Sequence, residues 1–421
     1  MRILYFHQHF TTPRGASGTR SYEFARALIA QGHTVTMVCG SIDVSALGLP
    51  PGTGYMRGTA DGIDIIALPV PYSNRNGLAR RAWVFAKFAL RSLIIALREP
   101  CDLVFATSTP LTVVLPGVLA KIFRRKPFVF EVRDLWPALP RALGMRNPFL
   151  LAVMSLLEYL GYRAADGLVG LSPGIVDGIK MRSPQKTPIE MIPNGCDLDL
   201  FKPLKKEQDG VPAEGTSPLA QIAGLQPGDF VAGFTGAHGI ANGLEAILAA
   251  ATALKRRGNT QIKFLFVGDG NCKEAMVAQA RRDGLDNCIF LPPMPKTTLA
   301  RLTASLDCGL MVLRNISAFY HGTSPNKFFD YIAAGIPVLN NYPGWLAGLI
   351  NEAGCGAVVP PDLPEAFAEA LENLAATARV DNNATMRRAA RQLAETQFSR
   401  EKLTTTFCEF LAKISARKLQ P

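Results

Sequence analysis

The stretch GTSPNKFFDYIAAG, residues 322–335, places a lysine and an aspartate three positions apart. On a helix, Lys327 and Asp330 share a face. Ser324 suits the N-cap, Pro325 the first helical position and Gly335 the C-terminal stop. Lys327 then falls in the first turn, where the positive end of the helix dipole disfavours a cation. A bound anion removes the conflict, because backbone N–H groups and the ammonium can share it. Beside that anion Asp330 could accept hydrogen bonds from sugar hydroxyls, with Ser324 and Asn326 flanking the helix start. The ligand that fits this set is a nucleoside diphosphate. The competing reading is a Lys–Asp surface pair, which is worth little.

Ligands in open α/β sheets bind beyond the carboxyl ends of strands, and other loops in such places carry candidates. FTGAHGIANG (234–243) leads from a strand into a helix and offers Gly236 and His238. VGDG (267–270) ends another strand at Gly268, and LPPMP (291–295) holds the backbone around Pro293 and Met294 as a base-recognising edge would. In the first half, HQHFTTPRGASGTR (7–20) sets Gly15 and Gly18 three apart before a helix. Glycines let a backbone approach a phosphate closely, but the spacing is not the G-x-G-x-x-G of dinucleotide binders. RDLWP, after strand 127–132, presents Arg133 and Asp134, with Glu131 just inside the strand. Arg133 also reads as half of a structural salt bridge. Asp134 suits a carboxylate held over a cleft.

These loops need strands and helices to aim them. Strands are expected at 2–6, 34–39, 63–68, 102–106, 127–132, 166–171 and 188–192. In the second half they are expected at 229–235, 262–267, 287–291, 307–313, 336–340 and 356–359. Helical stretches such as 20–31, 79–98, 148–163, 243–257, 271–283 and 365–377 lie between them. That alternation predicts an α/β fold of parallel sheets covered on both faces. The polar segment 205–228, with its Gly and Pro residues, reads as a linker or insertion. Two Rossmann-like domains are expected, 1–200 and 201–385, with a helical tail at 386–421. The uncharged run Leu103–Ala120 is broken by TSTP and Pro116, so it predicts strand, turn and buried helix rather than a span.

The 421 residues are 48% hydrophobic and 19% charged, the balance of a folded chain with more than one core. Eight scattered cysteines without a C-x-x-C pair favour reduced thiols in a cytoplasmic protein over a disulfide or zinc framework. The opening MRILYFHQHF reads as a buried strand, not as a secretory signal. The net charge of +11 is uneven: residues 1–200 hold 22 Lys/Arg against 14 Asp/Glu, and the rest hold 23 against 20. No nucleic-acid recognition motif accompanies it. The segment 75–98, RNGLARRAWVFAKFALRSLIIALR, carries six basic residues and no acidic one. Arg75, Arg80, Arg81, Lys87 and Arg91, with Trp83 among aliphatics, suit a helix lying in an anionic headgroup layer. The alternative is a helix packed on the sheet with its basic face in water.

Together these motifs resemble the GT-B glycosyltransferases of family 4, and within it the WbuB-like branch of fucosamine (N-acetyl-L-fucosamine) transferases. The residues that carry the resemblance are 18–40, FATSTPLT (105–112), FEVRDLWPALPRALG (130–144), IPNGCDLDLF (192–201) and 322–338. It implies two Rossmann-like doubly wound domains facing a cleft, the acceptor in the first and a UDP-sugar in the second, with final helices crossing back. By position it implies that Asp330 binds the ribose, Gly335 ends that helix, and Lys327 faces the diphosphate with Gly15 and Gly18 nearby. The chain departs from the family pattern: Gly322 stands where the first glutamate of Glu-x7-Glu is usual, Ala237 and Asn242 replace an arginine and a lysine, and Arg133 replaces a histidine. The charge that stabilises the phosphates is therefore expected from Lys327.

Breaking a sugar–phosphate bond develops negative charge on the departing diphosphate, and fixed N–H dipoles and cations stabilise it. Lys327, Arg133 and Asp134 are the candidate catalytic residues. No Asp-x-Asp motif adjoins the cleft loops, so metal-independent transfer without a cofactor is expected; the resemblance adds retention at the anomeric carbon. The acceptor expected is a saccharide on a polyprenyl-diphosphate lipid, as in O-antigen or capsule assembly, with the protein peripheral on the cytoplasmic face of the inner membrane. Two alternatives stand beside this one: a UDP-sugar 2-epimerase of the same fold, and a non-catalytic membrane-associated homologue.

Overall fold

A computed structural model describes residues 1–15, 18–41, 47–49, 52, 54–72, 76–204 and 218–417. Ala16 and Ser17, Arg75, and residues 205–217 of the expected linker lie outside the described residues. The chain divides into two compact units: Met1–Asn194 with His321–Ser324 and the C-terminal segment from Glu401, and Gly195–Tyr320 with Pro325–Arg400.

The first unit is an eight-stranded sheet. Its strands are β1 (Arg2–Phe6), β2 (Thr34–Gly40), β3 (Met56–Ala60), β4 (Ile63–Leu68), β5 (Leu103–Thr107), β6 (Phe128–Val132), β7 (Gly167–Gly170) and β8 (Ile189–Met191). They lie in the order β3-β4-β2-β1-β5-β6-β7-β8. Its helices are α1 (Arg20–Ala30), α2 (Leu78–Arg98), α3 (Val114–Arg124), α4 (Ala138–Ala142), α5 (Pro148–Ala164) and α6 (Pro173–Arg182). All pairings are parallel except β3 with β4. That hairpin is absent from the sequence expectation. It turns on Asp61-Gly62, whose φ angles of 50° and 83° make the tight two-residue loop that suits antiparallel strands.

The period of two decides which side chains face which layer. Ile3 and Tyr5 of β1 enter a core with Phe24 and Leu28 of α1, whereas Leu4 and Phe6 enter the opposite core with Phe88 of α2 and Tyr162 of α5. Leu103–Ala120 resolves into β5, a short turn and the start of α3. Among the described residues no helix is long and apolar enough to cross a membrane.

The second unit is a six-stranded parallel sheet in the order β11-β10-β9-β12-β13-β14. Its strands are β9 (Phe230–Thr235), β10 (Ile262–Val267), β11 (Cys288–Leu291), β12 (Cys308–Met311), β13 (Val338–Asn340) and β14 (Gly356–Val358). The helices are α7 (Glu245–Arg256), α8 (Lys273–Arg282), α9 (Lys296–Ser305), α10 (Ser317–Gly322), α11 (Asn326–Ala333), α12 (Trp345–Ala353), α13 (Pro364–Asp381) and α14 (Ala384–Gln397). Of the tail expected from residue 386, α14 stays with this unit and only α15 (Arg400–Arg417) joins the first. There Phe407 stacks on Phe24 with ring centroids 4.0 Å apart, so α15 completes the core beneath β1.

Candidate functional site

In the second unit the loops leaving β9 and β10 are tied to one another by their backbones. His238 N donates to Asp269 O at 2.9 Å, and Cys272 N donates to His238 O at 2.9 Å. A Cβ on Gly268, which has φ +146°, would stand 1.9 Å from the carbonyl oxygen of Gly236, so the two loops meet too closely for any side chain there. Lys273 fastens the arrangement, donating from Nζ to the carbonyls of Gly268 and Leu291 at 2.7 Å each. The His238 ring is fully buried, edge-on to Phe234 at 5.9 Å, and burial followed by the nearby Lys273 charge lowers its pKa to about 4. Both ring nitrogens of His238, expected to meet the ligand, are buried without a hydrogen-bond partner, while its backbone ties the two loops together. Pro293 is exposed and Met294 half-buried, just past the end of β11.

α11 carries the lysine. Pro325 occupies the N-cap position and no side chain caps the helix. The N-cap expected of Ser324 is therefore overturned: its Oγ accepts from Asn194 N at 3.0 Å and its carbonyl from Asn194 Nδ2 at 2.5 Å, a partner 130 residues away that outcompetes the local bond. Gly335 does follow the helix end, with Gly335 N bonding Ile332 O and Ile336 N bonding Tyr331 O, both at 3.1 Å. Lys327 lies in the first turn, half-buried. Its Nζ donates to Asn242 Oδ1 at 2.7 Å and sits 4.4 Å from the centre of the Phe234 ring. Asn242 in turn donates to Ala237 O at 2.8 Å. The ammonium is thus held beside Ala237 and Asn242, the two positions where the resemblance leads one to expect an arginine and a lysine. Burial lowers its pKa to about 7.

Asp330 does not pair with Lys327. It is buried, with Lys296 Nζ 3.5 Å from Oδ1, and Lys296 lies 5.4 Å from the Phe201 ring centre. Burial raises the Asp330 pKa, opposed by Lys296 and Arg400. The surface-pair reading fails for both residues. No residue spacing marks Lys296, whose carboxylate partner lies 34 residues further on, and Lys273 reaches backbone carbonyls, which carry no sequence signature. Asn326 is exposed at the helix start.

In the first unit, the loops after β1, β5 and β6 share a buried ionic network. Glu131 accepts from Arg20 Nε at 3.0 Å, from Arg20 Nη2 at 2.8 Å and from Thr107 Oγ1 at 2.6 Å. Arg20 also donates to Pro193 O and Ile192 O, at 2.5 and 2.6 Å. Arg133 Nε stands 3.6 Å from Glu131, and its Nη1 lies 3.4 Å from His7 Nε2. The salt-bridge reading of Arg133 therefore holds, with His7 added to it. Asp134 makes no hydrogen bond, and burial raises its pKa while Arg133 opposes the shift. The buried Gln8 amide and His7 Nδ1 have no hydrogen-bond partner. The signal for them, HQH directly after the first strand, is present in the sequence. Gly15 is buried and Gly18 half-buried in the same β1–α1 loop.

On α2, Arg80 and Trp83 are exposed and Lys87 is half-buried. Two of the five residues expected to face a membrane are instead tied to the fold: Arg81 Nη2 donates to Tyr72 Oη at 2.7 Å, and Arg91 Nη1 to Pro69 O at 3.1 Å. Among the described residues no group of three or more His, Cys, Asp or Glu side chains is placed to hold a metal ion.

Two family models match the chain: a glycosyl transferase 4-like domain over residues 15–195, and glycosyl transferases group 1 over residues 229–377. No curated protein sequence matches it. Among solved structures, sucrose-phosphate synthase from Thermosynechococcus elongatus is similar at a TM-score of 0.74 and 16% identity, covering 99% of both chains. Anabaena Alr3699/HepE, solved with UDP-glucose, is similar at 0.69 and 17%, covering 98% of this chain and 100% of its own. WaaG, a glycosyltransferase of lipopolysaccharide biosynthesis, is similar at 0.68 and 16%, covering 97% and 99%. At these identities the likeness is one of fold, and the fold is GT-B.

Proposed function

Because the chain is a glycosyltransferase of GT-B type, a 4-like domain followed by a group 1 domain, we propose that it moves a sugar from a UDP-sugar to a polyprenyl-diphosphate-linked saccharide. The donor proposed is an N-acetylated deoxyhexosamine such as N-acetyl-L-fucosamine, and the setting is O-antigen or capsular polysaccharide synthesis at the inner face of the cell membrane. The observation that carries the donor half of the reading is the Lys327 ammonium, held by Asn242 in the first turn of α11. A diphosphate there would accept from the ammonium and from backbone N–H groups of the helix start, and both interactions strengthen as the leaving group gains charge. Asp330 would accept from the ribose. The solved complex of HepE with UDP-glucose supports a nucleotide-sugar donor. Transfer is proposed to retain the anomeric configuration without a metal. In the first unit, Asp134 and Arg133 would meet the acceptor, beside the unpartnered Gln8 and His7 groups.

The test is UDP release from a panel of UDP-sugars, using membranes that carry lipid-linked acceptors, for wild type and Lys327→Ala. One sugar should be transferred, and the variant should lose at least about a hundredfold in turnover while keeping its melting temperature. Equal turnover by both proteins would leave Lys327 an ordinary lysine. Conversion of a UDP-sugar to its 2-epimer without transfer would replace the transferase by the isomerase.

A further inference from the structure

The first unit places α2, α3 and α5 side by side over one face of its sheet. Each helix buries one stripe there, and water-facing residues should be polar on the other. They are not. Ten of the eighteen large apolar side chains exposed among the described residues lie on these three helices. On α2 the outward stripe is Trp83, Leu90, Ile94 and Leu97, all within about one-sixth of a turn at 3.6 residues per turn. On α3 it ends in Ile122 and Phe123, the latter 70% exposed. On α5 it runs Phe149, Val153, Leu156 and Tyr159, with Phe149 73% exposed. Exposed apolar side chains concentrated on three adjacent helices in this way mark a contact with something outside the chain.

The charges identify the partner. The three helices carry eight basic residues and one acidic residue, Glu158. Glu158 is buried and bonded to Arg182 at 2.5 Å, so it presents nothing outward. Arg80, Arg98 and Arg163 are exposed beside the apolar stripes. A second copy docked by two-fold symmetry would bring like charges together. A bilayer with anionic headgroups takes both features at once, cations to the headgroups and apolar side chains to the acyl boundary.

We propose that the outer faces of α2, α3 and α5 together form a docking surface that seats the first unit on an anionic bilayer, with Phe123 of α3 and Phe149 and Leu156 of α5 entering below the headgroups. This deepens the membrane reading of α2 and rests on it. The apolar faces of α3 and α5 supply the part of the attachment that salt does not screen.

Cosedimentation of the full chain with vesicles tests this, using phosphatidylcholine alone and phosphatidylcholine with phosphatidylglycerol. Wild type should bind the anionic vesicles far better than the neutral ones and stay partly bound in high salt. Phe149→Ser/Leu156→Ser on α5 and Ile122→Ser/Phe123→Ser on α3 replace exposed side chains, and each double variant should weaken binding by about tenfold or more. Arg80→Glu should lower binding mainly at low salt. If the α3 and α5 variants bind as wild type does while Arg80→Glu does not, this proposal fails and the α2 reading survives. If wild type ignores both vesicle types, both fail. A dimer that these variants convert to monomer would also overturn the proposal, by making the face a self-association surface. Transferase activity is read separately: vesicle binding without sugar transfer would sink the proposed function and leave the docking surface standing.

Discussion

Lys327 is half-buried over the Phe234 ring, and its pKa falls to about 7 because burial disfavours the charged form. Above that value the free protein holds a neutral amine, and a diphosphate must bring a proton with it to bind. UDP affinity should therefore fall as pH rises from 7 to 9, by up to about tenfold per unit. Lys327→Arg keeps its charge over this range, so its affinity should change little with pH. Titration of UDP into both proteins at several pH values checks this, and parallel profiles would remove Lys327 from the site. Asp330 illustrates a different constraint. Its carboxylate is buried beside Lys296, so ribose hydroxyls would compete with or add to a partner already in place.

At the scale of elements, the donor side depends on the loops after β9 and β10 being pressed together. Gly268→Ala would put a methyl group against the Gly236 carbonyl in a backbone region that alanine avoids. A loss on the order of 1–3 kcal/mol in stability, or more, is expected from thermal melts, together with lost UDP binding. Gly239→Ala, where an added Cβ meets nothing within 4 Å and φ is −108°, should leave both unchanged. The alternating strands and helices were legible in the sequence because burial on both faces writes continuous apolar runs. The β3–β4 hairpin is not among the expected elements: Asp61-Gly62 marks its turn, but its polar edge strand MRGTA lacks the apolar run that marks the others. The cap of α11 was not legible. Ser324 has the chemistry of an N-cap, and only the fold shows that Asn194 takes its hydroxyl. Nor does a sequence tell which stripe of an apolar helix is left uncovered, as on α3 and α5.

At the scale of the molecule, two parallel-sheet units divide the labour proposed here. In that proposal the second would hold the nucleotide with a lysine and a helix start, and the first would offer acceptor loops on one side and an apolar, basic helical face on another. The uneven charge of the chain follows that division, since the face needing an anionic partner is in the first half. The resemblance read from five motifs reached the fold and the class of reaction, because those motifs are spread over both units. It did not reach the partner of Lys327, which is Asn242, 85 residues earlier in the chain. The most direct test of the central claim is calorimetric titration of UDP into the full chain, wild type against Lys327→Ala, at pH 6.5. Loss of one charge-assisted hydrogen bond, about 1.5–3 kcal/mol, should weaken binding by roughly ten- to a hundredfold with no change in melting temperature. Equal affinities would show that the diphosphate does not meet Lys327, and the anion site at the start of α11 would be wrong.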